Sequence, residues 1–189
     1  MNEEKAEAAT TEEQKYRLRT IVSDQDVTEL RKPSEEVILA LGDSSGRGFI
    51  DKATAELIQA LKDYVIENDG LGMSAVQLGV HKRVFVMRKP FNSDNLLVVI
   101  NPRVVRSQGG STKVEGCFSL PDLPADPMVK RASMIWVSFT DDKGEEYTEE
   151  MFIGMDARIF QHELDHLDGV LMVDTKPSGR GFQGWKRSF

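Results

Sequence analysis

The chain has 189 residues, of which 40% are hydrophobic and 29% are charged, and its formal net charge is −7. This length fits one domain with a sizeable core and argues against a second full domain. No apolar run approaches the ~20 residues that span a bilayer, and the acidic balance argues against a general nucleic-acid binder, so we expect a soluble protein without membrane contact.

The two ends of the chain differ in charge. Five of the first thirteen residues are Glu and no usable apolar face follows, which predicts a disordered acidic extension at 1–20 before a folded domain at 21–175. The start of the chain also lacks the features of a secretory signal, so we expect a cytoplasmic protein of a bacterium or of a virus in its host, with an organelle as the alternative. Residues 176–189 carry four basic and no acidic side chains and predict an extended or mobile tail.

Between these ends the pattern predicts helices at the two sides of a strand-rich middle. Apolar residues at helical spacing, with Asn68-Asp69-Gly70 as a stop signal, predict an amphipathic helix at 51–68. Short branched apolar runs predict strands at 83–87, 96–100, 112–115, 133–139 and 145–151. We expect Asn101-Pro102 to end the second strand and Asp141-Asp142-Lys143-Gly144 to form a hairpin turn. A second helix is predicted at 156–170.

The second predicted helix carries the sequence His162-Glu163-Leu164-Asp165-His166. Residues four apart lie one turn apart on the same face, so the two imidazoles can bind a single ion. A bound metal lowers the pKa of its water from ~15.7 to about 7, and a neighbouring carboxylate such as that of Glu163 can accept and relay the proton. The alternative is a surface helix with these residues at chance positions.

A catalytic metal site commonly has three protein ligands and an open position, so a third ligand is required. After His166 the short remaining sequence offers only Asp168 and Asp174. Cys117 is the better candidate, because it is the single cysteine, cannot form an intrachain disulfide and lies beside Gly116. Its soft thiolate suits iron or zinc, although a lone cysteine is also often a small buried hydrophobe.

A third segment of small residues at 70–77 ends in the amide side chain of Gln77. By itself it predicts a turn more strongly than a site, and it lacks the spacing of a dinucleotide-binding loop. In chain order, however, GLGMSAVQ, EGCFS and QHELDH resemble the G-x-G-x-x-A-x-Q, E-G-C-x-S and Q-H-E-x-D-H signature of the peptide deformylases. The resemblance covers roughly 21–174 and departs at Met73, Ser74 and Phe118, where most members have Leu, Ala and Leu. None of these changes removes a reacting group.

The resemblance implies a hydrolase of protein biosynthesis that removes the formyl group from the N-terminal formyl-methionine of nascent chains and releases formate. Cys117, His162 and His166 would hold one divalent metal ion, Fe(II) as the native metal and zinc, nickel or cobalt as substitutes. Glu163 would pass the proton to the leaving amine. The Gln77 amide and the backbone N–H of Phe118 would stabilise the oxyanion.

The same resemblance implies an α+β fold, with an antiparallel, partly barrel-like sheet around a central metal-binding helix. Leu71, Gly72 and Gly116 would bind the substrate, which would pair with Leu71 and Gly72 as an added strand. Asp165 would form a structural salt bridge with Arg131. The basic tail at 176–189 is a candidate for docking on ribosomal RNA, with a solvated terminus as the alternative.

Two other functions stay open on the sequence alone. A zinc endopeptidase would use the same helix motif but cleave unformylated peptides, and the cysteine ligand argues against it. A catalytically inactive, metal-stabilised binding module is the second, and the presence of Glu163 and Gln77, which only chemistry requires, argues against that one.

Overall fold

The structure is a computed structural model that describes residues 16–40, 48–121, 123 and 127–174. These residues form three α-helices, seven strands and two 3-10 turns. The helices are α1 (Asp24–Leu30), α2 (Lys52–Glu67) and α3 (Gly154–Leu167). The strands are β1 (Gly72–Ser74), β2 (Val84–Arg88), β3 (Leu96–Gln108), β4 (Ser111–Val114), β5 (Met128–Arg131), β6 (Met134–Thr140) and β7 (Glu146–Ile153), and the 3-10 turns are Ala75–Leu78 and Met172–Asp174.

The strands form two antiparallel sheets, one of five strands in the order β1-β2-β3-β6-β7 and one that pairs β4 with β5. The predicted α+β class with an antiparallel sheet is confirmed. Within the described residues β1 and β7 are free edges, so the larger sheet is open rather than a closed barrel. No helix of the described chain is both long and apolar enough to cross a membrane.

Strand β2 is buried on both faces because a helix packs on each side of it. Phe85 and Met87 point into a core with α3, where the ring of Phe160 meets that of Phe85 edge-to-face at 5.1 Å. Val84 and Val86 point into a second core that includes Leu57, Ile58, Leu61 and Val65 of α2. Each large apolar side chain buried in this way contributes roughly 1.5–3 kcal/mol, so α3 is held firmly against the sheet.

Strand β3 is longer than the sequence predicts. The predicted stop at Asn101-Pro102 is wrong. Asn101 has a left-handed backbone (φ 52°), and the register between β3 and β6 shifts between Ile100 and Arg103. This irregularity accommodates both residues, and pairing with β6 continues after it. The Asn101 side chain accepts a bond from the Val37 N–H at 2.8 Å and donates to the Val37 carbonyl at 3.0 Å, which stabilises this conformation. The other predicted strands and both predicted helices are present with shifts of a few residues.

Part of the predicted extension at 1–20 is described, and this part contacts the domain. The buried carboxylate of Asp26 accepts bonds from the guanidinium groups of Arg17 (2.7 Å) and Arg19 (3.1 Å), and the Arg19 N–H donates to the Gln77 carbonyl at 2.7 Å. Residues 1–15 and the predicted basic tail at 176–189 lie outside the described residues.

Candidate metal centre

Helix α3 presents His162 and His166 one turn apart, with their ring centroids 5.0 Å from each other. Cys117 follows the end of β4 and brings its Sγ to 3.2 Å from the His166 Nε2. One ligand atom from each of the three residues lies within 4.8 Å of the other two. The sequence-predicted ligands are therefore brought together.

The donor set fits a metal ion. Tetrahedral ligands with bonds of about 2.0–2.3 Å stand about 3.3–3.8 Å apart, which the observed spacing approaches. A thiolate and two imidazoles suit iron and zinc better than magnesium or calcium, which prefer oxygen. Three protein ligands also leave a fourth position open for water or substrate.

Glu115 orients one of the two histidines. Its Oε2 lies 3.0 Å from the His162 Nδ1, so a proton on Nδ1 leaves Nε2 free to face the ion. Burial by itself would raise the pKa of Glu115, but the hydrogen bonds and charges of His162 and Arg131 lower this pKa to about 2. Burial likewise opposes the charged form of His162, yet its contacts with Cys117 and Glu115 raise the pKa of the imidazole to about 10 in the absence of an ion.

A buried network of charges supports Glu115. Arg131 donates to both Glu115 oxygens at 2.7 and 2.8 Å and to Asp165 Oδ2 at 2.7 Å, which confirms the predicted Asp165–Arg131 pair. Arg158 also donates to Glu115, to the Val129 carbonyl at 3.0 Å and to a carbonyl of β4. The two arginines thereby tie the β4–β5 pair to α3, and the Cys117 segment leaves from that pair.

Glu115 and Arg158 are functional residues for which the sequence predicts no role. Two signals could have found them. Glu115 is two residues before Cys117, and Arg158 precedes His162 by four residues, so it lies on the same face of α3.

Glu163 is 3% exposed and faces Gly72 at the start of β1. A Cβ atom at Gly72 would stand 2.7 Å from its Oε1, so the two residues are in close contact. Its Oε2 is buried and has no hydrogen-bond partner among the described residues. Burial raises the pKa of Glu163 to about 7, although the charges of His162 and Arg131 oppose the shift. A carboxyl group with such a pKa is able to take up and release a proton near neutral pH.

Gln77 lies in the 3-10 turn that follows β1, and its side chain is buried. The Oε1 accepts two bonds from Ser74, one from the backbone N–H and one from the hydroxyl, both at 2.9 Å. The Nε2 points the other way, 3.1 Å from the Ser119 Oγ and 3.7 Å from the Cys117 Sγ. The amide N–H groups thus face the candidate metal centre.

These residues surround a cleft of about 420 Å³. All of the predicted site residues except His166, which is 1% exposed, contribute to its lining. The lining residues are Gly70, Leu71, Gly72, Gln77, Val114, Glu115, Gly116, Cys117, Phe118, Met155, Arg158, Ile159, His162 and Glu163.

The edge strand β1 runs along this cleft. Leu71 directs its carbonyl toward β2, where it accepts a bond from the Arg88 N–H at 2.9 Å. Because neighbouring residues of an antiparallel strand direct their backbone groups to opposite sides, the N–H and C=O of Gly72 face the open edge. The side chain of Leu71 is 41% exposed.

The family model and the relatives described below belong to the same protein family. A sequence model of the polypeptide deformylases matches residues 18–180. The peptide deformylase of Pseudothermotoga lettingae is 39% identical over 134 residues, covering 70% of this chain and 74% of the relative, and that of Chlorobaculum parvum is 41% identical over 129 residues, covering 66% and 67%.

Solved structures are similar over most of the chain. The peptide deformylase of Thermotoga maritima has a TM-score of 0.71 and 29% identity, covering 86% of this chain and 98% of that one. A probable peptide deformylase of Synechococcus phage S-SSM7 has a TM-score of 0.70 and 30% identity, with coverage of 85% and 99%. An actinonin-bound peptide deformylase of Acinetobacter baumannii has a TM-score of 0.69 and 28% identity, with coverage of 84% and 95%.

Proposed function

Because this chain belongs to the peptide deformylase family, we propose that Cys117, His162 and His166 hold the catalytic metal with which it removes N-formyl groups. The family's substrates are nascent chains that begin with formyl-methionine, and the products are formate and a free amino terminus. One observation supports the assignment of residues above all others. Three ligand atoms within 4.8 Å of one another share a cleft with a buried carboxylate and a buried amide.

The native metal is proposed to be Fe(II), with zinc, nickel or cobalt as substitutes. One thiolate and two imidazoles form a soft to intermediate donor set that accepts all four metals. Such an ion, once bound, would acidify a water molecule and polarise the formyl oxygen.

Glu163 is proposed as the acid and base of the reaction. It takes one proton from the attacking water, whose oxygen forms a bond to the formyl carbon. The bond between that carbon and the nitrogen then breaks, and the same proton goes to the leaving amine. Burial, which raises the pKa of Glu163 to about 7 in the absence of an ion, supports this role, since it favours uptake of a proton by the carboxyl group. The unpartnered Oε2 supports it too, because no bond to another described residue has to break before the proton is accepted.

Gln77 and Phe118 are proposed to stabilise the negative charge that develops on the formyl oxygen. The Gln77 Nε2 faces the centre while its Oε1 is bonded to Ser74, so the amide is already aimed before substrate arrives. The backbone N–H of Phe118 directly follows the ligand Cys117 and would supply the second donor. Two fixed donors of this kind need no reorganisation during the reaction.

The substrate is proposed to bind as a strand along the open edge of β1. Gly72 offers its N–H and C=O to the peptide, and Leu71 offers its exposed side chain at the mouth of the cleft. Gly116 also lines the cleft, and a Cβ atom built there would meet no other described atom within 4 Å, so the space beside it is open to substrate. Backbone pairing would make binding largely independent of the nascent chain's sequence.

The decisive experiment is formate release by the full chain, purified without oxygen and loaded with iron. We expect turnover of formyl-methionyl peptides and none of the matched acetyl-methionyl peptides. Cleavage of internal bonds in unformylated peptides would favour an endopeptidase instead. A folded, metal-loaded protein that releases no formate would contradict the assignment.

We also propose a cytoplasmic location and a ribosomal partner, docked through the basic tail at 176–189. The support is the charge of the sequence alone, four basic and no acidic side chains. Deletion of the tail should leave turnover of short formylated peptides unchanged and weaken co-sedimentation with ribosomes. Equal, salt-independent ribosome association of both forms would remove this role.

A further inference from the structure

Ser74 ends β1 and is 0% exposed. It contacts one functional group twice, because its backbone N–H and its hydroxyl each donate to the Gln77 Oε1 at 2.9 Å. The buried hydroxyl of Ser74 is therefore committed to the amide of Gln77.

The two bonds determine which end of the amide faces the metal centre. With both donors on Oε1, the Nε2 is directed toward Ser119 and Cys117. A rotation of the amide by half a turn would place the NH₂ group against the Ser74 donors and the carbonyl oxygen against the cysteine sulfur. The backbone N–H opposes that rotation because it can only donate, and the hydroxyl, which can donate or accept, adds a second bond that holds the amide in place.

We propose that Ser74 is a positioning residue for the deformylation reaction, which it assists by holding the Gln77 amide with its N–H groups toward the formyl oxygen. This inference rests on the proposed role of Gln77. Ser74 does not touch the substrate and acts through the amide.

The first test is Ser74→Ala, assayed by formate release with the iron-loaded full chain. One hydrogen bond of this kind is worth a factor of about 2 to 13 in an equilibrium, so kcat should fall by that factor. KM and metal content should stay unchanged, since the lost interaction matters when charge develops on the oxygen. The matched control is Ser34→Ala, a buried serine at 7% exposure whose hydroxyl has no partner in the described chain and which should keep the wild-type kcat.

A second pair of variants separates the hydroxyl from packing. Thr and Val at position 74 have the same shape, and both suit the extended backbone there (φ −102°, ψ 152°). Ser74→Thr should exceed Ser74→Val in kcat by the same factor of about 2 to 13. Equal rates for this pair would overturn the inference even if the alanine variant failed to fold.

A double-mutant cycle tests whether the effect passes through Gln77. In a Gln77→Met background, Ser74→Ala should cause no further loss of kcat. A full additional loss would overturn the positioning role and leave the deformylase assignment standing. If Gln77→Met itself turned over at the wild-type rate, the oxyanion role of Gln77 and this inference would both fall.

Discussion

Replacement of Gly72 by alanine tests the contact between β1 and Glu163. The new Cβ would stand 2.7 Å from the Glu163 Oε1 and 3.1 Å from its Cγ and Cδ, whereas ordinary contacts begin at 3.4 Å. The carboxylate therefore has to retreat by about 0.7 Å, or the strand has to move away from α3. Because a displacement of ~1 Å in a catalytic group costs about 10²-fold in rate, we expect kcat to fall roughly 10- to 100-fold.

The assay is formate release with metal content measured on the same sample. Overpacking of about 1–3 kcal/mol should also lower Tm by about 2–12 °C in a domain of this size. Gly110→Ala is the matched control, since its Cβ would stand 3.3 Å from the flexible end of Lys130 and at an ordinary 4.0 Å from the Arg131 carbonyl oxygen, and it should retain the wild-type kcat. A Gly72→Ala protein that kept its metal and more than half of the wild-type kcat would refute the close contact and the reasoning built on it.

Three further changes test the ligands and their support. Glu163→Gln should keep the metal and lose about 10²- to 10⁴-fold in kcat, because only the proton relay is removed; near-normal formate release at full metal occupancy would contradict this role. Cys117→Ser should lose metal on dialysis and lack iron-dependent turnover, because a neutral hydroxyl is a poor thiolate substitute; unchanged metal content would point to another ligand. In metal-free protein the pKa of Glu115 is about 2, against an ordinary value of 4.5, so its ionised form adds roughly 3 kcal/mol of stability above pH 4.5 that disappears as pH falls toward 2. The difference in Tm between wild type and Glu115→Gln should therefore narrow over that range, and a constant difference would refute the argument.

Sequence periodicity predicted the elements whose pattern is local. The predicted bounds lie within a few residues of those of α2, β2, β4, β6 and β7. In each of these elements the spacing of apolar residues follows from which faces of the helix or strand are buried. Strand β1 was missed, since three residues in a glycine-bearing segment carry no period and only pairing with β2 makes them a strand. Helix α1 and strand β5 were also missed, being seven and four residues long.

The residues of the candidate site also differ in how far a local sequence pattern can predict them. The spacing of His162 and His166 is a local property of one helix, so the sequence alone suggested them as ligands. Cys117 is distant along the chain, so the residues alone made it only the better candidate, and the resemblance to a family assigned it as the third ligand. The network of Glu115, Arg131 and Arg158 joins three separate segments. The order of residues along the chain does not show which of its 55 charged side chains are buried next to one another in the fold.

The open edge of β1 also bears on self-association. Exposed edge strands invite pairing with other chains and are a common origin of aggregation. Here the strand has only three residues. The Gly70 carbonyl just before it accepts a bond from the Arg88 Nε at 2.8 Å, and the Ser74 N–H at its end donates to the Gln77 Oε1. The edge that β1 offers is therefore short, so it admits the end of a peptide but is too short a ladder to template stacking of one copy on another.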